Sequence, residues 1–252
     1  MPTDVWYPSE NAVRPQRMNQ VAGGVSWNLG DKYLITNELF YKWGFNQVDF
    51  RDGARIFTNQ NLAQEFVFGR AWSYGNEFYI EKKSGALRGW LGYTLMWSWR
   101  QFDSINVGQK FPSRFDRRHD FTSVLVWDIN KRWTISGVFV YSTGNAVTLP
   151  IGRTFIQGTD LDRPFVAPIY TERNSFRFPD YQRLDFNIIY KWRRKNREND
   201  LTLSFYNATN RRNPYFLYYE QINNREGLPE RFQAKQVSLF PIIPALTWNF
   251  KF

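Results

Sequence analysis

The only histidine of the chain, His119, is the first candidate for chemistry, because the acid Asp120 follows it directly. In many hydrolases, a histidine oriented by an aspartate acts as a general base that activates a serine. Ser113 and Ser123 lie close enough in the sequence to be that nucleophile. The same residues also form a polar cluster at the start of a predicted strand, and such clusters are ordinarily structural. A hydrolase therefore stays an alternative and is not the main hypothesis.

The sequence offers little for a metal or a cofactor. One histidine and no cysteine exclude a standard zinc site. Three loop acids, Asp160, Asp162 and Glu172, supply oxygen ligands of the kind that calcium takes, but a solvated loop explains them more simply. No glycine-rich phosphate-binding loop is present. We therefore assign no catalytic residue, no metal ligand and no cofactor.

Segment 144–180 is the candidate for ligand binding, because binding residues concentrate on loops held by a rigid scaffold. It combines aromatic rings that can stack on sugars with guanidinium groups that can hold carboxylates. The candidate substrate-binding residues are Arg153, Phe155, Phe165, Tyr170, Arg173 and Phe176. Aromatic residues in such loops also serve in packing, so both roles stay open.

The last nine residues alternate strictly between apolar and polar side chains and end on an aromatic residue. Leu246, Trp248, Phe250 and Phe252 fall on one side of a strand, and Thr247, Asn249 and Lys251 fall on the other. A closing strand of a membrane β-barrel has this pattern, with apolar side chains toward lipid and polar ones toward the interior. Trp248, Phe250 and Phe252 would then form the terminal signal that the outer-membrane assembly machinery recognises.

Composition favours a membrane barrel over other classes. Aromatic residues make up 19% of the 252 residues, yet the mean hydropathy is -0.55. No stretch approaches the roughly 20 apolar residues of a membrane helix. A net charge of +10 invites a nucleic-acid-binding hypothesis, but the basic residues are scattered among turns and polar strand sides and form no recognisable motif. We expect them to face solvent, anionic lipid or lipopolysaccharide, and we expect no nucleic-acid partner.

Alternating segments come in pairs joined by short polar turns, and longer loops separate the pairs. This rhythm predicts an all-β, transmembrane, antiparallel up-and-down barrel with about nine strands in this chain. Predicted pairs cover 20–43, 70–99, 121–142 and 184–205, and the last pair has a basic turn at 193–200. A long final strand covers 232–252, with a bulge or bend at Pro241 and Pro244. Long loops lie near 44–68, 103–117, 144–180 and 221–231. The side chains predicted to face the lumen are Glu77, Arg100, Arg183 and Asp185.

Two features predict that the chain is part of a larger barrel. Single-chain bacterial barrels have an even number of strands, and about nine strands cannot close one. The amino terminus has neither the basic nor the apolar region of a signal peptide, although a membrane barrel needs an export signal. Because short turns of such barrels lie in the periplasm, the carboxyl terminus is predicted to be periplasmic.

Short motifs along the chain resemble the C-terminal part of TonB-dependent outer-membrane receptors, especially the Bacteroidetes kind with a carboxypeptidase-regulatory-like domain. The matching motifs are residues 4–8, 14–16, 74–78, 89–95, 115–120, 131–134, 141–147, 179–185, 206–215 and 241–252. The resemblance implies a barrel of about 22 strands, of which residues 1–252 form the C-terminal part. It also implies uptake of a scarce nutrient such as a metal chelate, cobalamin, a glycan or a peptide.

The family resemblance also implies partners and a location. The protein would lie in the outer membrane among its lipids and lipopolysaccharide, with the barrel-assembly machinery inserting it. The plug and the first strands of the family pattern do not match any part of this sequence, so contact with the TonB complex would involve a missing N-terminal part and this part alone would not transport. A surface lipoprotein lid is a further expected partner. The alternative is a small self-contained barrel, either porin-like or phospholipase-like.

Overall fold

A computed structural model of the chain describes residues 7–9, 13–54, 61–156, 165–194, 197–223 and 229–251. Their secondary structure consists of β-strands and two short 3₁₀ helices, Leu62–Glu65 and Asn106–Gly108. In the described part of the chain, no helix is long and apolar enough to cross a membrane.

The strands in chain order are β1 (Arg17–Leu29), β2 (Tyr33–Phe50), β3 (Phe66–Lys82), β4 (Leu87–Phe102), β5 (Phe111–Pro112), β6 (His119–Asp128), β7 (Trp133–Ser142), β8 (Ala146–Val147), β9 (Gly152–Ile156), β10 (Phe165–Ile169), β11 (Phe176–Arg177), β12 (Tyr181–Arg194), β13 (Arg197–Tyr206), β14 (Pro214–Asn223), β15 (Pro229–Ser238) and β16 (Ile243–Lys251).

Nine of these strands form one antiparallel sheet in the order β1-β2-β3-β4-β6-β7-β12-β13-β16, and β5 adds to β4. Each strand pairs with the next one along this path, which is the up-and-down arrangement that the sequence predicts. The predicted all-β class and the number of strands in the main sheet are therefore confirmed. Within the described residues, β1 and β16 are the two edges of the sheet.

The connections differ in length at the two ends of the sheet. Short connections at 30–32, 83–86 and 129–132 lie at one end, called the turn end below, where β12 and β13 also meet at Arg194 and Arg197. Longer connections at 51–65, 103–118, 143–180 and 207–242 lie at the other end, called the loop end. Side hairpins β9–β10 and β14–β15 and the small β8–β11 pair belong to these long connections and stand outside the main sheet.

Two predicted boundaries are wrong. The predicted final strand 232–252 is two strands, because residues 239–242 interrupt it and β15 pairs with β14 instead of the main sheet. Pro241 lies in this interruption, where it needs no ladder partner. The basic segment 193–200, predicted as a turn, is largely strand, with β12 reaching Arg194 and β13 starting at Arg197.

Strand register divides the main sheet into two faces. One face, called the aromatic face below, carries rows such as Val21, Tyr41, Tyr74 and Trp97 across four neighbouring strands. The opposite face, called the polar face, carries rows such as Glu38, Glu77, Thr94 and Asp120. Because alternate residues of a strand point to opposite sides, the register fixes the face of every side chain in the sheet.

Few side chains of the described residues are fully buried, as expected for a sheet of a single layer. A small core at the loop end contains Phe102, Ile105 and Phe111, with Val67 packed against it. This core holds the 103–112 connection against β3 and β4. The sheet itself is held mainly by its ladder and by ring contacts between neighbouring strands.

Candidate functional site

The aromatic face has two belts of large rings. Near the loop end, Tyr41, Tyr74 and Trp97 stack in one row, with ring centroids 6.5 and 5.4 Å apart. Near the turn end, Trp127 lies opposite Leu87 of β4. Trp97 is ten positions further along β4 than Leu87, which is about 33 Å of strand and about 25 Å of membrane depth at a tilt near 40°. This depth matches the apolar band of outer-membrane barrels.

The predicted assembly-signal residues lie on the aromatic face at the turn end. Trp248 and Phe250 of β16 contact each other, with ring centroids 5.5 Å apart. Both are more than half exposed, at 60% and 55%. Phe252 lies outside the described residues. Their role in recognition by the assembly machinery stays a prediction.

The four side chains predicted to face the lumen all belong to the polar face. Glu77 is in the row of Thr94, and Arg100 lies opposite Ala71. Arg183 and Asp185 are two residues apart on β12 and form an ion pair, with Nε 3.0 Å from a carboxylate oxygen. We predict that the polar face lines a lumen. The register puts all four residues on that face, as this prediction requires.

Arg173 of the predicted substrate loop is bound to the wall. Its guanidinium donates to Asp49 Oδ1 at 2.8 Å, to Asp52 Oδ1 at 2.7 Å and to the carbonyl oxygen of Phe50 at 3.1 Å. Arg100 donates to the other oxygen of Asp49 at 2.7 Å. The Asp49, Arg100 and Arg173 side chains are only 17%, 21% and 22% exposed. We call this cluster the first anchor of the loop.

A second anchor lies four residues further along the loop, at Arg177. Its guanidinium pairs with the buried carboxylate of Asp116 and donates to the carbonyl oxygen of Asp116 at 2.6 Å. The backbone N–H of Ser98 also donates to Asp116, at 2.6 Å. Asp116 is 1% exposed, so its charge depends on these partners. The two anchors draw the returning arm of the loop, residues 171–178, across the polar face to β2 and β4.

A third ion pair closes the neighbouring connection 51–65. Arg51 Nε lies 2.6 Å from Glu65 Oε2, and Arg51 N–H donates to the Glu65 carbonyl oxygen at 2.9 Å. The hydrogen bond to the Glu65 side chain, and secondly its charge, raise the pKa of Arg51 above its usual value. The guanidinium therefore stays charged, and the pair fixes the ends of β2 and β3.

A groove lies between the β9–β10 hairpin and the β14–β15 hairpin. Arg153 and Tyr170 line one wall, and Tyr219 of β14 lines the other. The remaining lining is mainly apolar, from Pro150, Ile151, Gly152 and Pro168, and the volume is 300 Å³. Two phenol rings and one guanidinium beside apolar walls suit a ligand with a flat face and an anionic or polar group.

The structure divides the six predicted loop residues among different places. Arg153 and Tyr170 meet in the groove, and Arg173 belongs to the first anchor. Phe155 pairs with Val166 in the β9–β10 ladder, and Phe165 pairs with Ile156. Phe176 pairs with Val147 in the small β8–β11 ladder. The sequence did not single out Tyr219, Asp49 or Asp116, because their partners lie far away in the chain.

His119 does not have the geometry of a hydrolase base with its predicted partners. Its Nδ1 lies 2.8 Å from the hydroxyl oxygen of Tyr93 on the aromatic face. Asp120 points to the polar face, where it accepts a hydrogen bond from Ser142 Oγ at 2.6 Å. Ser123 is four strand residues away from His119, or about 13 Å. Ser113 Oγ accepts from the N–H of Phe115 at 3.3 Å in the preceding connection.

Carboxylates and the histidine do not gather into a metal site within the described ranges, which hold no group of three or more such side chains. Of the three loop acids considered for calcium, Asp160 and Asp162 lie outside those ranges. Glu172 is described, and its carbonyl oxygen accepts a hydrogen bond from Ser175 Oγ at 3.2 Å.

The main sheet is a nine-stranded meander with two belts of aromatic rings on one face and charged side chains on the other. These features are typical of the wall of a membrane β-barrel.

No family model and no curated protein matches the chain. Two solved outer-membrane structures do. The ferric-catecholate import receptor Fiu from Escherichia coli K12 matches with a TM-score of 0.55 and 18% identity, over 97% of this chain and 29% of that one. The ferripyoverdine receptor of the outer membrane of Pseudomonas aeruginosa, bound to ferripyoverdine, matches with a TM-score of 0.56 and 15% identity, over 99% and 29%.

At these identities the likeness shows the fold. The chain shares the antiparallel β-barrel-wall fold of part of these two receptors, and this agrees with the fold that its motifs predict. It spans less than a third of the length of either receptor.

Proposed function

We propose that this chain is the C-terminal barrel portion of a TonB-dependent outer-membrane receptor that imports a scarce nutrient. The observation that carries this proposal is the division of the sheet into two faces, with an apolar face of membrane depth and a charged face behind it. The fold likeness to two outer-membrane receptors supports it, as does the order of the sequence motifs. The motifs favour the Bacteroidetes kind with a carboxypeptidase-regulatory-like domain.

The receptor hypothesis places each end of the sheet. The loop end faces the cell exterior, and the turn end and the carboxyl terminus face the periplasm. Lipids and lipopolysaccharide surround the aromatic face, and the barrel-assembly machinery recognises the terminal strand. A plug and the segment that contacts TonB would belong to parts of the receptor that this chain does not contain. A surface lipoprotein would cover the loop end as a lid.

We propose the groove at Arg153, Tyr170 and Tyr219 as a contact for the imported nutrient, because it lies at the loop end between two projecting hairpins. The nutrient is a metal chelate, cobalamin, a glycan or a peptide. The two similar receptors are named for ferric-catecholate and ferripyoverdine, which are metal chelates. The chain does no covalent chemistry in this proposal.

The small self-contained barrel is the weaker alternative. It requires β1 and β16 to pair with each other, whereas in the described residues they are separate edges of the sheet. Its phospholipase-like form also requires a serine beside His119, where the structure places Tyr93.

The test uses the complete gene product in the organism that encodes it. Cells carrying a gene deletion or the variant Tyr219→Ala are grown on limiting ferric chelate, cobalamin, oligosaccharide or peptide, with and without TonB. We expect the deletion to impair growth on one nutrient class only, to the same extent as loss of TonB. Tyr219→Ala should raise the nutrient concentration needed for half-maximal growth by about fivefold, since one stacking contact is worth about 1 kcal/mol.

Tyr218→Ala is the matched control. Tyr218 neighbours Tyr219 on the opposite side of β14, with a nearly equal exposed fraction of 40% against 39%. It does not line the groove, so its loss should leave growth unchanged. Normal growth of the deletion strain on all four nutrient classes would refute the receptor proposal. Equal effects of the two tyrosine variants would refute the groove alone.

A further inference from the structure

Three cations form a row across the aromatic face at the loop end, and the proposed function gives them no role. Arg17 of β1 pairs with Phe45 of β2, and Phe45 belongs to the bulge that lies opposite Arg70 of β3. Arg70 pairs with Gln101 of β4, and Lys110 is level with Gln101, because β5 continues the ladder beside β4. Two strand spacings, or about 10 Å, separate each cation from the next. We call Arg17, Arg70 and Lys110 the cation row.

All three members of the cation row lie on the aromatic face and are exposed. Arg70 is four residues from Tyr74 on β3, so both side chains point to the same side of the sheet. The register puts Arg17 on that side as well. Lys110 Nζ lies over the ring of Trp99, 4.9 Å from its centroid, and Trp99 belongs to the aromatic face. This cation–π contact holds the ammonium group at the edge of the aromatic belt.

The cation row lies at the depth of lipid headgroups. Trp43, Trp72 and Trp99 pair across β2, β3 and β4 and form a row of rings directly below it. Tryptophan rings are typical of the membrane interface. Arg70 is two residues beyond Trp72 on β3, which is about 7 Å of strand and about 5 Å of depth at a tilt near 40°. The headgroup layer of a bilayer is roughly 5–8 Å thick, so the cation row falls within it.

The aromatic face supplies no negative charge to balance the cation row. Among the described residues, no member of the row forms an ion pair. Asp103, in the connection after β4, is not paired with them either. The register puts every carboxylate of the nine main strands on the polar face, namely Glu38, Asp49, Glu77, Glu81, Asp120, Asp128, Asp185, Glu198 and Asp200. An uncompensated row of cations beside lipid attracts anionic headgroups.

We propose that the cation row binds the phosphate groups of a phosphorylated lipid in the outer leaflet, whose acyl chains lie against the aromatic belt. The position of the row selects this ligand, because the cations stand on the lipid side of the wall and directly above the tryptophan row. Guanidinium groups also suit phosphate oxygens, to which they donate paired hydrogen bonds. The inference rests on the proposed function, since it requires the aromatic face to lie in the outer membrane with the loop end outside.

The test uses the complete gene product in detergent micelles. Native mass spectrometry measures its dissociation constant for lipid A, the phosphorylated anchor of lipopolysaccharide, and for the same lipid with its phosphates removed. We expect lipid A to bind about eightfold more tightly, since each of the three exposed ion pairs contributes about twofold. The triple variant Arg17→Gln, Arg70→Gln and Lys110→Gln should lose this preference. Because all three side chains are exposed, the variant should keep the heat-modifiable folded band on gels.

Lys110→Glu and Lys42→Glu form a matched pair of variants. Lys42 Nζ also lies 4.9 Å from the centroid of a ring, that of Phe40, but it belongs to the polar face at the same end of the sheet. We expect Lys110→Glu to weaken binding of lipid A by about fourfold, because it removes one attraction and adds a repulsion. Lys42→Glu should leave binding unchanged.

Three results would overturn the lipid site. They are equal binding of lipid A and the phosphate-free lipid, equal losses in the two glutamate variants, and displacement of lipid A by an equal concentration of inorganic phosphate or soluble polyglutamate. Failure of the receptor proposal gives a different result, because the unchanged protein would then not insert into lipid vesicles. A protein that inserts and binds both lipids equally would overturn the lipid site alone.

Discussion

Replacing Arg173 with methionine should release the arm 171–178 from the wall without unfolding the sheet. Methionine keeps much of the aliphatic length and removes the three hydrogen bonds to Asp49, Asp52 and Phe50. Asp49 keeps Arg100 as a partner, at 2.7 Å, so the variant does not leave an isolated carboxylate on the wall.

The size of the effect follows from the exposure of each partner. Asp52 is 63% exposed, so its pair with Arg173 contributes less than about 1 kcal/mol. Asp49 is 17% exposed, and a charged hydrogen bond in such a place contributes about 1.5 kcal/mol. With the bond to the Phe50 carbonyl group, the total is about 2 kcal/mol. This corresponds to an increase of about thirtyfold in the population of the open arm.

Hydrogen exchange of the protein in detergent micelles measures this opening directly. The reporters are the amides of Asn174, which donates to Thr148 Oγ1 at 3.0 Å, and of Phe178, which donates to the Asn145 carbonyl oxygen at 2.9 Å. We expect both to exchange about thirtyfold faster in the methionine variant. The control Asp52→Ala removes only the exposed partner and should accelerate exchange by less than about fivefold.

Equal acceleration in the two variants would refute this prediction, because the contact of Arg173 with the largely buried Asp49 would then contribute nothing. Unchanged exchange in the methionine variant would show that other contacts hold the arm. Acceleration that extends to the amides of β4 would show that the variant unfolds the wall instead of opening the loop.

Two further predictions concern the wall. On the aromatic face, the side-chain amides of Asn37 and Asn76 donate hydrogen bonds to each other, both at 3.0 Å. Asn37→Ala should therefore lower the free energy of unfolding in urea by about 1–2 kcal/mol, because it leaves the Asn76 amide unpaired. Replacing both asparagines with leucine should lower it by less, because no amide is then left unpaired. A single variant as stable as the wild type would contradict this. Gly89 has φ of +146°, and a Cβ there would lie 2.0 Å from the Val124 carbonyl oxygen. Gly89→Val should therefore prevent the pairing of β4 with β6. We expect this variant to lose the heat-modifiable folded band on gels. Gly92→Ala, whose Cβ would come no closer than 3.7 Å to any atom, is the control, and it should run as the folded protein.

The main sheet could be predicted because the pattern that defines each strand lies within a short stretch of sequence. Strict alternation in segments such as Leu91–Trp99, with short polar turns between segments, gives both the strands and the sides that their residues face. For that reason the nine strands of the meander and the common face of Glu77, Arg100, Arg183 and Asp185 follow from the sequence.

The contacts at the loop end could not be predicted in the same way. Arg173 and Asp49 are 124 residues apart, and Arg177 and Asp116 are 61 residues apart, so no local pattern links them. An arginine in an aromatic loop fits a ligand as well as an ion pair, and only the folded arrangement decides between them. The sequence also misses Tyr219, because the predicted loop near 221–231 and the predicted strand 232–252 stand in place of the β14–β15 hairpin that carries it.

The end of the chain shows a different limit. Alternation is continuous enough from 232 onward to suggest one strand, but Phe240 has φ of +52° directly before Pro241. A bulky residue in this region of backbone space marks a break in the chain direction. Periodicity reports which sides residues face and does not report whether two segments belong to one strand.

The most direct test of the account is the environment of the two faces of β4 in a lipid bilayer. The chain has no cysteine, so single cysteines at Leu95 and Thr94 can each carry a nitroxide spin label. Leu95 belongs to the aromatic face and Thr94 to the polar face. In the protein reconstituted in lipid vesicles, the account predicts that the label at 95 is relaxed mainly by oxygen, which partitions into lipid, and the label at 94 mainly by a water-soluble nickel complex. Equal accessibility of the two labels, or the reverse pattern, would contradict the membrane-wall assignment on which the proposed function rests.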